Sequence, residues 1–165
     1  MENLSKWPLT KKGKAIMTPE QVELRALIDE LFVEFGEVAK KRGIVLKANL
    51  KTKIVLHVDR VYLYAIMKNI LSNAIQFTPR GGKVTLYVHK KSEVVALSVA
   101  NTSEQLISEE QDQDAYMDND EIYGKGSQLI YQFTELSGGE VVVRHEEQGG
   151  SIFTIYLPAY RGTLA

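Results

Sequence analysis

The chain has 165 residues, 44% of them hydrophobic and 25% charged, and its 20 Lys+Arg against 21 Asp+Glu leave a net charge of −1. That length suits one domain with a core of its own, and the absence of cysteine excludes a disulfide framework, a thiolate metal site and a cysteine nucleophile. No apolar run approaches the ~18 residues of a membrane span, the first residues lack the apolar stretch of a signal peptide, and near-neutral charge does not suit non-specific nucleic-acid binding.

The first residues, with Lys6, Lys11, Lys12 and Lys14 and the breakers Pro8 and Gly13, read as a linker. Thr18 and Pro19 suit the N-cap and first position of a helix. Leu24, Leu27, Ile28, Leu31, Phe32, Phe35 and Ala39 give that helix an apolar face, and Gly43 stops it after Lys40, Lys41 and Arg42. Ile44–Leu50 and Lys53–Val58 are β-rich runs around a Lys51-Thr52 turn.

Asp59 suits a second N-cap. Leu63, Ile66, Met67, Ile70, Leu71, Ala74 and Phe77 form the buried stripe of a helix that ends before Pro79. Lys83–Lys90 and Glu93–Ala100 alternate as strands around a turn near Lys91-Ser92. From Asn101 to Tyr123 there are eight acids and no Lys or Arg, so the other 142 residues carry a net charge of +7. This stretch reads either as a solvated connector or as a binding loop. Gly124-Lys125-Gly126 then leads into a helix over Ser127–Ser137, ended by Gly138-Gly139. Glu140–Glu146 and Ser151–Leu157 form a last hairpin. Hairpins mixed with three helices predict one sheet with helices on one face, an α/β two-layer sandwich.

Asn69 and Asn73 stand four residues apart on the second helix and so share a face. Asparagine is a poor residue for a helix interior, because its amide competes for backbone bonds. Its oxygen can ligate Mg²⁺ and its NH₂ can bond phosphate; equally, both amides can cap local groups or face water. The run Asn69-Ile-Leu-Ser-Asn73-Ala-Ile-Gln76-Phe77-Thr-Pro-Arg-Gly-Gly resembles the N-box of the ATP-binding catalytic domain of sensor histidine kinases. That superfamily also holds gyrase, the mismatch-repair ATPases and heat-shock chaperones. The resemblance runs from about Pro19 to Pro158 and includes Asp59, Gly124-x-Gly126, Gly138-Gly139 and the closing Gly150-Ser-Ile-Phe153-Thr-Ile-Tyr-Leu-Pro158. Asn3-Leu4-Ser5-Lys6-Trp7 resembles the end of a dimerisation helix.

The resemblance implies a Bergerat-type fold, with a mixed, largely antiparallel sheet of about five or more strands on three helices. It implies a linker over 1–18, a catalytic domain over 19–160 and an ATP lid over about 102–123. By the family pattern Asn73 holds Mg²⁺, Asn69 assists at the phosphates, and Asn101 stands where an Asp accepts the adenine amine. Gln76, Phe77, Gly124, Lys125, Gly126 and Leu129 complete the implied nucleotide-binding set. The implied function is binding of Mg-ATP and donation of the γ-phosphoryl to a histidine on a separate dimerisation domain, with a response regulator as partner. The domain is expected to be cytoplasmic and monomeric, with no nucleic acid and no direct membrane contact, although the parent protein could be membrane-anchored.

Several positions depart from the pattern. The usual Asp-x-Gly-x-Gly reads Asn101-Thr-Ser103-Glu-Gln105, and the usual Gly-x-Gly-Leu-Gly-Leu reads Gly124-Lys-Gly126-Ser-Gln128-Leu129. Gln76 has no charge to offer phosphate, and the loop acids repel it. An alternative reading is therefore a nucleotide-poor pseudokinase module that serves as a protein-interaction domain. No P-loop is present, since Gly82-Lys83 precedes Val84 and Gly124-Lys125 precedes Gly126. His57, His89 and His145 fall in separate strands and read as satisfied strand residues rather than ligands or phosphoacceptors.

Overall fold

The computed structural model describes residues 17–102, 126–146 and 149–160. The acidic stretch over 103–123, Gly124 and Lys125 lie outside these residues, as does the segment that resembles a dimerisation helix. The elements in order are β1 (Glu20–Glu23), α1 (Leu24–Lys41), β2 (Val45–Asn49), β3 (Val55–Val58), α2 (Arg60–Phe77), β4 (Lys83–Lys91), β5 (Val94–Thr102), α3 (Gly126–Leu136), β6 (Glu140–His145) and β7 (Ser151–Pro158). Five strands form one mixed sheet in the order β2-β4-β5-β7-β6, with β2 parallel to β4 and the other pairs antiparallel. A second sheet pairs β1 with β3.

The sandwich follows from alternation. Val84, Leu86 and Val88 on β4, Val95, Leu97 and Val99 on β5, and Phe153, Ile155 and Leu157 on β7 are buried at every second position. They meet Leu24, Leu27 and Leu31 of α1, Leu63, Ile66, Met67, Ile70 and Leu71 of α2, and Ile130 and Phe133 of α3 in one core. Asp59 caps α2 as expected, with its carboxylate accepting from the Tyr62 amide at 3.1 Å.

Four expectations are corrected. The first helix starts at Leu24, with Glu23 rather than Thr18 as its N-cap. Glu20–Glu23 is instead paired with β3, and the Thr18 amide donates to Asp59 at 2.7 Å. A strand partner thus outcompetes a local helix signal whose positions carry no apolar stripe to bury. The runs around Lys51-Thr52 do not pair with each other, since β2 joins β4 and β3 joins β1. For the same reason there are two sheets rather than one. Phe77, placed on the buried stripe, is 43% exposed, because α2 ends there and has left the core.

Candidate functional site

The path of the chain brings the candidate residues to one end of the sheet. Only five residues separate the end of α2 at Phe77 from the start of β4 at Lys83, and Lys83 is the register partner of Thr102 at the end of β5. Asn101 in turn faces Ser151, the first residue of β7. The C-terminal end of α2, the end of β5 and the start of β7 therefore share an edge, and α2 packs against both β5 and α3.

On α2, Asn69 is buried and Asn73 is half-buried. The Asn73 Nδ2 donates to Asn69 Oδ1 at 2.9 Å. This one bond uses the carbonyl of Asn69 and leaves the Asn73 carbonyl and the Asn69 NH₂ for other partners. An acceptor and a donor, one helical turn apart, suit a divalent cation and a phosphate oxygen respectively. Among the described residues no group of three or more His, Cys, Asp or Glu could hold a metal. A cation here would share Asn73 with ligand oxygens and water, as Mg²⁺ does with phosphates.

Asn101 is 8% exposed, and its Oδ1 accepts from the Ser151 amide at 2.8 Å and from Ser151 Oγ at 2.9 Å. The carbonyl expected to face a ligand is thus turned onto the neighbouring strand. Ser151 is a site residue that sequence reasoning misses. It carries no local signal in the sequence, because only the register of β5 against β7 sets it opposite Asn101. Gln76 is exposed, and its backbone carbonyl accepts from Arg42 Nη2 at 3.2 Å. Arg42 also donates to the Thr78 carbonyl at 3.3 Å, so it ties off the end of α2. Gly126 and Leu129 lie on the first turn of α3, whose N-terminal amides suit an anion.

α2 is held against α1 by polar contacts on its outer side. Tyr64 donates to Glu34 at 2.6 Å, Lys68 pairs with Glu34 at 2.8 Å, and Arg60 pairs with Glu30. The bond from Lys68, then that from Tyr64, holds the Glu34 carboxyl below its ordinary range. Burial, and then the bond to Glu34, pushes the Tyr64 phenol up to about 12. Each histidine lies in a strand as expected. His57 stacks on Tyr160 with ring centroids 5.6 Å apart, and burial lowers the His145 imidazole.

A family model described as histidine kinase-, DNA gyrase B-, and HSP90-like ATPase matches residues 58–161. The chain is 23% identical over 162 residues to the adaptive-response sensory kinase SasA of Synechococcus sp. strain CC9311, covering 92% of this chain and 42% of that protein. It is 32% identical over 108 residues to the histidine protein kinase DivJ of Caulobacter vibrioides, covering 61% of this chain and 18% of that one. It thus spans under half the length of these curated relatives. Among solved structures, the catalytic domain of histidine kinase ThkA superposes with a TM-score of 0.72 at 22% identity, covering 87% of this chain and 97% of that domain. No helix among the described residues is long and apolar enough to cross a membrane.

Proposed function

We propose, from the premise that this chain belongs to the histidine kinase-, DNA gyrase B- and HSP90-like ATPase family, that it is the nucleotide-binding catalytic domain of a two-component sensor histidine kinase. On this reading it binds a magnesium nucleoside triphosphate, ATP by family likeness, and presents the γ-phosphoryl to a histidine on a separate dimerisation domain. The observation that carries it is the Asn73–Asn69 bond, which leaves one carbonyl and one NH₂ on the same face of α2.

Each residue then has a defined task. Asn73 Oδ1 would hold the Mg²⁺, which neutralises phosphate charge when bound. Asn69 Nδ2 donates to a phosphate oxygen, and the first turn of α3, with Gly126, receives the phosphates. Gly124, Lys125, Phe77, Gln76 and Leu129 flank them in this reading. The α1–α2 contacts keep α2 from shifting, and phosphoryl transfer depends on positioning of this kind. Residues 19–160 make up the domain and 1–18 its lead from the dimerisation helix. A response regulator, the kind of partner TrrA is for ThkA, would take the phosphoryl group onward. The domain would act as a monomeric cytoplasmic unit.

One observation favours the pseudokinase reading, in which the module binds partners rather than nucleotide. The Asn101 carbonyl is already engaged by Ser151. Calorimetric titration of the chain with nucleotide and Mg²⁺, beside Asn73→Ala, separates the two. Binding lost in the variant supports the first reading. An absence of heat up to millimolar ATP, GTP and ITP, from a chain folded by circular dichroism, leaves the second.

A further inference from the structure

The Asn101 side chain is fixed in direction by its neighbour across the sheet. The Ser151 backbone N–H can only donate, so the Asn101 atom 2.8 Å from it must be the oxygen. The amide therefore has one orientation. A carbonyl oxygen has two lone pairs, and the Ser151 amide and hydroxyl take both. What remains for a ligand is Nδ2, which donates and cannot accept. Among the described residues the hydrogen bonds of the Asn101 side chain are the two its oxygen accepts, which leaves Nδ2 as the group it can offer a ligand.

We infer that this site selects a 6-oxo purine nucleotide, such as a hypoxanthine or guanine nucleotide, over an adenine nucleotide, with the Asn101 Nδ2 donating to O6. The inference rests on the nucleotide-site reading above and departs from it at the base, where family likeness alone gives adenine. Adenine presents an NH₂ at the 6-position, which would set donor against donor. A 6-oxo purine presents an acceptor there. Asn101 and Ser151 are 8% and 9% exposed, so water does not readily repair the mismatch, and an unmade bond at a buried group is costly. Ser151 thereby acts as a positioning residue, since it decides which end of the amide meets the base.

Asn101→Asp tests the idea with almost no change of shape. One carboxylate oxygen keeps both Ser151 donors, and the other places an acceptor where Nδ2 stood. The measurement is calorimetric titration of the full chain with Mg-ITP, Mg-GTP and Mg-ATP, each repeated on Asn101→Asp. ITP is the informative probe, because it differs from ATP only at the 6-position and the adjoining N1 proton. The wild-type chain should bind ITP about tenfold or more tighter than ATP, and the variant should reverse the order. ATP binding as tightly as ITP or tighter in the wild type overturns the inference and leaves the nucleotide reading standing. Tripolyphosphate competing as well as ITP also overturns it, because the base is then not read. A variant that folds but keeps the wild-type order overturns it too. If no nucleotide binds at millimolar concentration, the inference and the nucleotide reading fail together. Should the variant not fold, the wild-type ratio of ITP to ATP affinity still decides.

Discussion

Gly139 and Gly36 show how differently one added methyl can act. A Cβ at Gly139 would sit 2.0 Å from the Tyr156 carbonyl oxygen and 3.0 Å from Leu157 Cδ2, whereas one at Gly36 would meet nothing within 4 Å. Gly139→Ala should therefore force β6 off β7 and lower stability by about 2 kcal/mol or more. Gly36→Ala should raise it by about 0.5–1 kcal/mol, because glycine is costly inside a helix. Urea unfolding midpoints for the two variants should move in opposite directions. The Gly138-Gly139 pair was legible in the sequence as a helix stop, and Gly138 has the positive φ, +77°, that this requires. That Gly139 is needed for strand contact rather than for its backbone angle was not legible, because Tyr156 lies far along the chain. Asn73→Ala removes an amide that is half-buried on α2 and should leave the fold intact. Its nucleotide affinity should fall at least tenfold in the presence of Mg²⁺ and change little with EDTA; an equal loss in both conditions would argue against cation binding at Asn73.

The elements that frame the site owe their positions to a few polar ties. Asp59 caps α2 through Tyr62 and also accepts from the Thr18 amide, so one carboxylate joins the start of α2 to the chain entering β1. Asp59→Ala breaks both bonds and should cost about 1–2 kcal/mol, read as a lower thermal midpoint. If α2 lost only its cap, restoring asparagine at this position should recover most of the loss. The α1–α2 ties add a dependence on pH. The Tyr64 phenol is raised from 10.0 to about 12, so its contribution is present below pH 10 and is lost as pH climbs toward 12. The Glu34 carboxyl is lowered, so its contribution is present above the ordinary carboxylate range and is lost as pH falls through its depressed value. Denaturation curves across this range should show both declines. Tyr64→Phe should flatten the alkaline one, and an unchanged alkaline slope would remove Tyr64 as its cause. Asp59 and both helix bodies were readable from sequence, since caps and apolar stripes are local patterns. The true start of α1 was not, because Glu20–Glu23 answers to β3 across the fold.

Across the whole molecule, β5 is the strand most enclosed by structure. It pairs with β4 and β7 along nine and eight register positions and is covered by α2. β2 lies at the edge, with mostly exposed side chains and a single partner. Amide hydrogen exchange should therefore be slowest in β5 and several orders of magnitude faster in β2. Comparable rates in the two strands would mean that the sheet opens as one unit. Alternation, apolar stripes and the Asp59 cap by themselves determined a two-layer α/β domain, because each is a pattern within a few residues, and the family was legible through the resemblance carried by the run from Asn69 to Gly82 and the glycine motifs. Strand partners were a different matter. The parallel union of β2 with β4, the separate β1–β3 sheet and the contact between Ser151 and Asn101 join residues remote in sequence. Only tertiary structure decided them, since a cross-strand hydrogen bond depends on register over the whole sheet. The direction of one buried amide, that of Asn101, was set by that register.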